Sequence, residues 1–214
     1  MTQAAHVRPY RSGDREALAE ICIRTADNGG DSRHLYPDPE LMPALFAAPY
    51  AYLEPELTFV LDDGSGQAVG YILGTADTRQ FVDAFRKVWL PLVTERFPRP
   101  DATPSTFVEE MTGLLHCPER MILPELDGHP AHLHIDLLPP WQRKGYGREL
   151  MGAFLGALHA KGVPAVHLSM LVANTPARAF YDRLGFREIE VPDPGPLAYL
   201  GRSTEGCGDD RLGR

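Results

Sequence analysis

The chain of 214 residues predicts an alpha/beta fold in a single domain, and three stretches carry that expectation. Residues 131–160, AHLHIDLLPPWQRKGYGRELMGAFLGALHA, read as a strand, a glycine-containing loop and a helix. A second strand, Ala165 to Val172, leads into a short helix opened by Asn174-Thr175-Pro176. Two apolar runs, Leu57 to Leu61 and Ala68 to Gly74, flank the turn formers Asp62-Asp63-Gly64-Ser65-Gly66, which is a hairpin signal.

Taken in order, Val7 to Tyr10 can form a first strand, and Ser12 or Asp14 can cap a helix whose buried side is Leu18, Ile21 and Cys22. The polar stretch from Thr25 to Asp31 and the run Tyr36-Pro37-Asp38-Pro39 interrupt the chain before a short helix around Leu41 to Ala48. The hairpin supplies strands two and three. A helical insert of about residues 78–128 follows. In it Phe81, Phe85, Val88, Trp89, Leu92 and Val93 make one apolar stripe, bent or broken at Pro91. Phe107, Val108, Met111, Leu114 and Leu115 make a second, with Thr106 and Glu109 spaced as a capping box. These aromatics read as core, and the insert is expected to cover one side of a cleft.

Strand four runs from His132 to Leu138, because Pro139-Pro140 cannot continue a sheet ladder. The next helix carries Leu150, Met151, Phe154, Leu155 and Leu158 on one stripe and stops at Lys161-Gly162-Val163-Pro164. Thr175 is the expected N-cap of the following helix, with Pro176 at its first position. Leu197 to Leu200 supplies a last strand, and Arg202 to Arg214, rich in glycine and charge, reads as a disordered tail.

Composition narrows the function classes. A formal net charge of −8 with interspersed signs gives no basic stripe for nucleic acid. Cys22, Cys117 and Cys207 are odd in number and lack metal-ligand spacing, which points to a reduced cytoplasmic setting. No signal region and no membrane-length apolar run stands out, so a soluble protein without a membrane partner is expected. Oligomeric state is not legible.

The loop Gln142-Arg143-Lys144-Gly145-Tyr146-Gly147 precedes a helix N-terminus, whose free N–H groups and partial positive charge suit an anion such as pyrophosphate. A plain Gly-x-Gly connection would look the same. The loop is not a Rossmann fingerprint, since Leu150 stands at the third glycine, and no Walker run exists in the chain.

The pairing of this Q-x-x-G-x-G loop with the later run Asn174, Ala177, Phe180-Tyr181, Leu184-Gly185-Phe186 resembles the GCN5-related N-acetyltransferases (GNAT) over residues 131–190. A narrower resemblance, carried by HPAHLHIDLLPPWQRKGYG, Gly70 to Thr75 and the long helical insert, is to the acetyltransferase-like domain of bifunctional O-GlcNAcases and its free-standing bacterial relatives. The resemblance implies a mixed central sheet flanked by helices, with the insert between strands three and four. It implies acetyl-CoA as cofactor and a small-molecule or peptide amine as acceptor. It also implies that strand four splays from strand five, offering the backbone N–H groups of Leu137 and Leu138 to the cofactor, whose pyrophosphate lies on residues 142–147. Asn174 and Ala177 would border that wedge, and Tyr181 would be the general acid as well as a cofactor contact. Asp27, Asn28, Asp31 and Tyr36 would border the acceptor.

For the general base, Asp136 stands first, with His134 and His132 behind it, since residues 132, 134 and 136 share one strand face. The pattern His132-x-His134-x-Asp136 also matches part of a metallo-hydrolase motif, but Leu137 replaces its final histidine, and no metal is expected. A second reading is a domain that binds acyl-CoA without turnover.

Overall fold

The computed structural model describes residues 4–205. Seven strands form one sheet in the order β1-β2-β3-β4-β5-β7-β6. They are β1 (His6–Pro9), β2 (Phe59–Asp62), β3 (Ala68–Thr75), β4 (Ala131–Leu137), β5 (Ala165–Leu171), β6 (Arg187–Ile189) and β7 (Leu197–Ser203). All neighbouring pairs are antiparallel except β4 and β5. The parallel pair arises because the helix α7 (Tyr146–Ala160) carries the chain back across the sheet between them.

Alternation along the central strands builds two cores. On one face Tyr71 and Leu73 of β3 pack with α1 (Arg15–Ile23), α2 (Leu41–Phe46), α3 (Ala48–Leu53) and the insert. On the other, Ile72, Leu133, Val166 and Leu168 meet α7 and Tyr181 of α8 (Thr175–Arg183). The stripe expected on α7 is fully buried, and each of its five large side chains contributes about 1.5–3 kcal/mol by leaving water.

Close approach explains one glycine. A Cβ at Gly74 would stand 2.1 Å from the His132 carbonyl oxygen and 2.6 Å from the Phe154 ring. Only glycine lets β4 and α7 meet β3 there.

Arg8 on β1 ties the sheet edge to α1. Its Nε donates to Asp62 at 2.8 Å, and its two terminal nitrogens donate to Asp14 at 2.7 and 2.8 Å. Asp14 thus precedes α1 as expected, but its carboxylate serves Arg8 and the Arg11 N–H rather than capping α1.

Several boundaries differ from expectation. Leu57 lies in a 3-10 turn before β2, and the short helix near Leu41 is two helices, α2 and α3, broken at Ala47. In the insert, α4 (Thr78–Ala84) runs into a π segment over Phe85–Trp89 and then α5 (Leu90–Val93). The wide turn lets the Leu90 N–H reach the Phe85 carbonyl just ahead of Pro91, which has no N–H of its own. The extra residue rotates Val88 and Leu92 outward, to 45% and 59% exposure, while Phe81, Phe85 and Trp89 stay buried. The capping box of Thr106 and Glu109 on α6 (Phe107–Leu115) is formed. The N-cap of α8 is Asn174, not Thr175: the Asn174 Oδ1 accepts the Ala177 N–H at 3.2 Å. β7 continues through Ser203, so Arg202 and Ser203 belong to the sheet and not to a tail; residues 206–214 lie outside the described residues. The short strand β6 was not expected. Among the described residues no helix is long and apolar enough to cross a membrane.

Candidate active site

β4 and β5 pair only at Ala131 with Val166 and at His132 with His167, and then diverge. The Leu138 N–H donates to the Val69 carbonyl at 3.0 Å, on the β3 side. Alternation therefore turns the N–H groups of Ile135 and Leu137 toward the gap. The expectation for Leu138 is corrected: its donor is used by β3, and Ile135 takes its place beside Leu137.

The gap is the floor of a cleft of about 980 Å³. β4 contributes Leu133 to Leu137, and β5 contributes Leu168 to Leu171. The loop and α7 supply Gln142, Arg143, Gly145, Gly147 and Arg148, and α8 supplies Ala177, Phe180 and Tyr181 behind Asn174. The α1 end adds Cys22, Thr25, Ala26 and Asn28, and α2 adds Met42 and Phe46.

The loop has the shape that an anion site requires. Gly145 takes φ 94° and Arg143 φ 58°, both left-handed. The first intrahelical bond of α7 joins the Arg148 N–H to the Gly145 carbonyl, so the N–H groups of Gly145, Tyr146 and Gly147 precede the helical ladder. Arg143 and Arg148 add positive charge at the rim. Gly147 has a packing reason as well, because a Cβ there would meet the Phe180 ring at 3.1 Å. The Gln142 amide donates to the Leu137 carbonyl at 2.8 Å and holds the loop against the end of β4. These features fit a pyrophosphate-bearing thioester cofactor: basic groups and free donors at one end, unpaired strand N–H groups at the other.

At the deep end Tyr181 is 8% exposed, and among the described residues no partner holds its hydroxyl. Burial and the nearby Asp136 charge raise its pKa above the usual 10, so it stays protonated. The Tyr71 hydroxyl donates to Asp136 Oδ2 at 2.7 Å. Burial pushes the Asp136 carboxyl up from 3.8 to about 6 despite that bond. His134 is held at about 4 by burial and the Arg120 charge, so it is neutral at physiological pH.

Eleven of the expected site residues therefore line one cleft: Asn28, His134, Asp136, Leu137, Gln142, Arg143, Gly145, Gly147, Asn174, Ala177 and Tyr181. Others stand apart. Lys144 lies 5.5 Å over the Trp141 ring, and Tyr146 packs its ring against Trp141 at 5.9 Å. Asp31 pairs with Arg33, Asp27 sits 3.5 Å from His34, and Tyr36 is a core residue against Phe107. Nor does His132-x-His134-x-Asp136 converge on a point, since His132 bonds Thr78 and Tyr50, His134 bonds Tyr50, and Asp136 bonds Tyr71. Among the described residues no group of three or more such side chains is placed to hold a metal. The insert contributes no lining residue, contrary to expectation.

Sequence reasoning missed Ile135, Arg148, Thr25, Met42 and Phe46. A basic residue in the first turn of α7 was a usable signal for Arg148. Nothing local marks the others.

The chain is 65% identical to the crystal structure of SsHAT, covering 94% of this chain and 98% of that one with a TM-score of 0.91. It is 26% identical over 201 residues to Protein O-GlcNAcase of Rattus norvegicus, a match that takes 92% of this chain but only 22% of that much longer protein. The fold is shared with the PaiA N-acetyltransferase from Thermoplasma acidophilum in complex with coenzyme A, at 13% identity and a TM-score of 0.58 over 94% of this chain and 99% of that one. Residues 26–186 match the Acetyltransferase (GNAT) family, which takes in both strands of the splayed pair, the glycine loop and Tyr181, and the chain belongs to that family.

Proposed function

We propose that the chain is an acetyl-CoA-dependent N-acetyltransferase that passes an acetyl group directly to an amine. The observation that carries this reading is the parting of β4 and β5 after two residue pairs, which leaves strand N–H groups facing a cleft with an unpartnered tyrosine hydroxyl at its end. Acetyl-CoA supplies an activated acyl carbon and a thiol leaving group. The N–H groups of Gly145 to Gly147, with Arg143 and Arg148, hold its phosphates. The N–H groups of Ile135 and Leu137 bind and polarise along the gap. Asp136, ionised above about pH 6, takes a proton from the amine, and Tyr181 holds one at its hydroxyl for the departing sulfur.

A second reading, binding without turnover, draws on the Tyr71 bond that occupies one oxygen of Asp136. Titration calorimetry with acetyl-CoA, followed by an amine screen, separates the two. Arg148→Glu is the better loop variant than any change at Gly145, whose φ of 94° strains every other residue. The expected result is micromolar binding weakened at least tenfold by Arg148→Glu, and transfer slowed about tenfold to a hundredfold by Tyr181→Phe with affinity kept. No binding by the wild type refutes the enzyme reading; binding without transfer to any amine establishes the second.

A further inference from the structure

A buried hydrogen-bond chain runs from the foot of α4 to the cleft, and its polarity is fixed at one end. The Thr78 hydroxyl lies 2.8 Å from the Pro130 carbonyl oxygen, which can only accept, so its hydrogen is spent there. Thr78 Oγ1 is also 2.8 Å from His132 Nδ1, which must then be the donor. His132 is deeply buried beside His167 and Arg120, which hold it neutral, so its Nε2 carries no hydrogen and must accept. The group 2.8 Å from that Nε2 is the Tyr50 hydroxyl, which therefore donates to it; the Met121 sulfur, 4.0 Å away, is too far to compete. Tyr50 has now given its one hydrogen, so its contact with His134 Nε2 at 3.0 Å needs the hydrogen on His134.

Each link forces the next, and the chain ends on a defined tautomer. His134 carries its hydrogen on Nε2, and its Nδ1 is a bare lone pair. Among the described residues no protein group pairs with that nitrogen; it is not among the buried unpaired atoms, and the side chain lines the cleft next to Asp136 on the same strand face.

We infer that Tyr50, with His132 and Thr78 behind it, is a positioning residue: it locks His134 as the Nε2–H tautomer so that Nδ1 accepts an N–H of the incoming amine while Asp136 takes the proton that leaves. This rests on the acetyl-transfer reading for its chemistry but not for its tautomer. In the step, the amine nitrogen bonds the acyl carbon, the carbon–sulfur bond breaks, Asp136 gains the amine proton and Tyr181 protonates the sulfur. His134 gains and loses nothing. It orients the nitrogen lone pair by holding one of its hydrogens.

Long-range proton–nitrogen NMR on histidine-labelled full chain reads the tautomers directly. The expected wild-type result is Nδ1–H at His132 and Nε2–H at His134. Tyr50→Phe keeps the ring stacked 4.3 Å from Phe81, so the fold is retained, and His134 falls to a mixture of tautomers. With n-butylamine as probe, kcat/KM for the amine drops about tenfold in that variant and the KM for acetyl-CoA stays put. Nδ1–H at His134 in the wild type overturns the inference. So does an unchanged tautomer, or an unchanged kcat/KM, in Tyr50→Phe. A wild type that shows the stated tautomers yet binds no acetyl-CoA refutes the acetyl-transfer reading instead.

Discussion

Asp136→Asn separates the stability role of the deep carboxylate from its chemical one. Burial raises the Asp136 carboxyl from 3.8 to about 6 in the folded protein. A carboxyl raised on folding favours its neutral form there, so its contribution is complete below about pH 4 and is lost as pH rises through about 6. Two pH units correspond to about 3 kcal/mol, and partial access from the cleft reduces that to about 1–3 kcal/mol. Asparagine cannot ionise, and its amide oxygen can still accept from the Tyr71 hydroxyl. Urea denaturation of both proteins from pH 4 to 8 should show the variant gaining on the wild type by about 1–3 kcal/mol as pH rises, most of it between about pH 4 and 6, the interval between the unfolded and folded values of the carboxyl. Acetyl transfer by the variant should fall by about two orders of magnitude or more at about pH 7–8, where the wild-type carboxylate is ionised, and the gap should close toward about pH 4. A stability difference that does not vary with pH, or a variant that loses ground as pH rises, would refute the claim that the fold holds this carboxylate against its preference.

Two further outcomes test the frame around the site. Gly74→Ala should cost about 3 kcal/mol or more, or fail to fold, because the added carbon would stand 2.1 Å from the His132 carbonyl oxygen; a melting temperature within a few degrees of wild type would contradict the β3–β4 crossing. Arg8→Leu should cost about 3–5 kcal/mol at pH 7 by stranding the buried Asp14 and Asp62 carboxylates, whose acidity Arg8 keeps strong; because protonation relieves them, the deficit should shrink in acid denaturant titrations.

The parts of the site that the sequence made legible are local. The strand ended by Pro139-Pro140, the turn at Gly145 and the stripe on α7 each lie within one contiguous stretch, where period and turn chemistry speak directly. The parts it hid depend on register or on distant pairing. Leu138 and Ile135 differ only in which neighbour their N–H groups face, which is set by the pairing of Val69 with Leu138 across the sheet. Asn174 and not Thr175 is the cap, its Oδ1 accepting the Ala177 N–H, a choice between two adjacent cap formers that composition cannot make. The π segment hid the true face of the insert, since one wide turn shifts every later residue by about 100° and sends Val88 and Leu92 to solvent.

The insert's place in the molecule follows from these same contacts. It lines none of the cleft. What it does is hold α2 and α3. Phe81 stacks on Tyr50, Trp89 donates to the Ala44 carbonyl at 2.9 Å and packs against Tyr52, and Thr78 anchors the far end of the histidine chain. Tyr50 lies 82 positions from His132 and 84 from His134 along the chain, and α3 is only six residues long, too short to keep a hydroxyl in place unaided. Without Phe81 and Trp89 the ring would lose its stacking face and the Tyr50 hydroxyl its fixed distance to both imidazoles. The aromatic stripe reads as core packing because it is core packing, and through one tyrosine that packing sets which nitrogen of His134 faces the cleft.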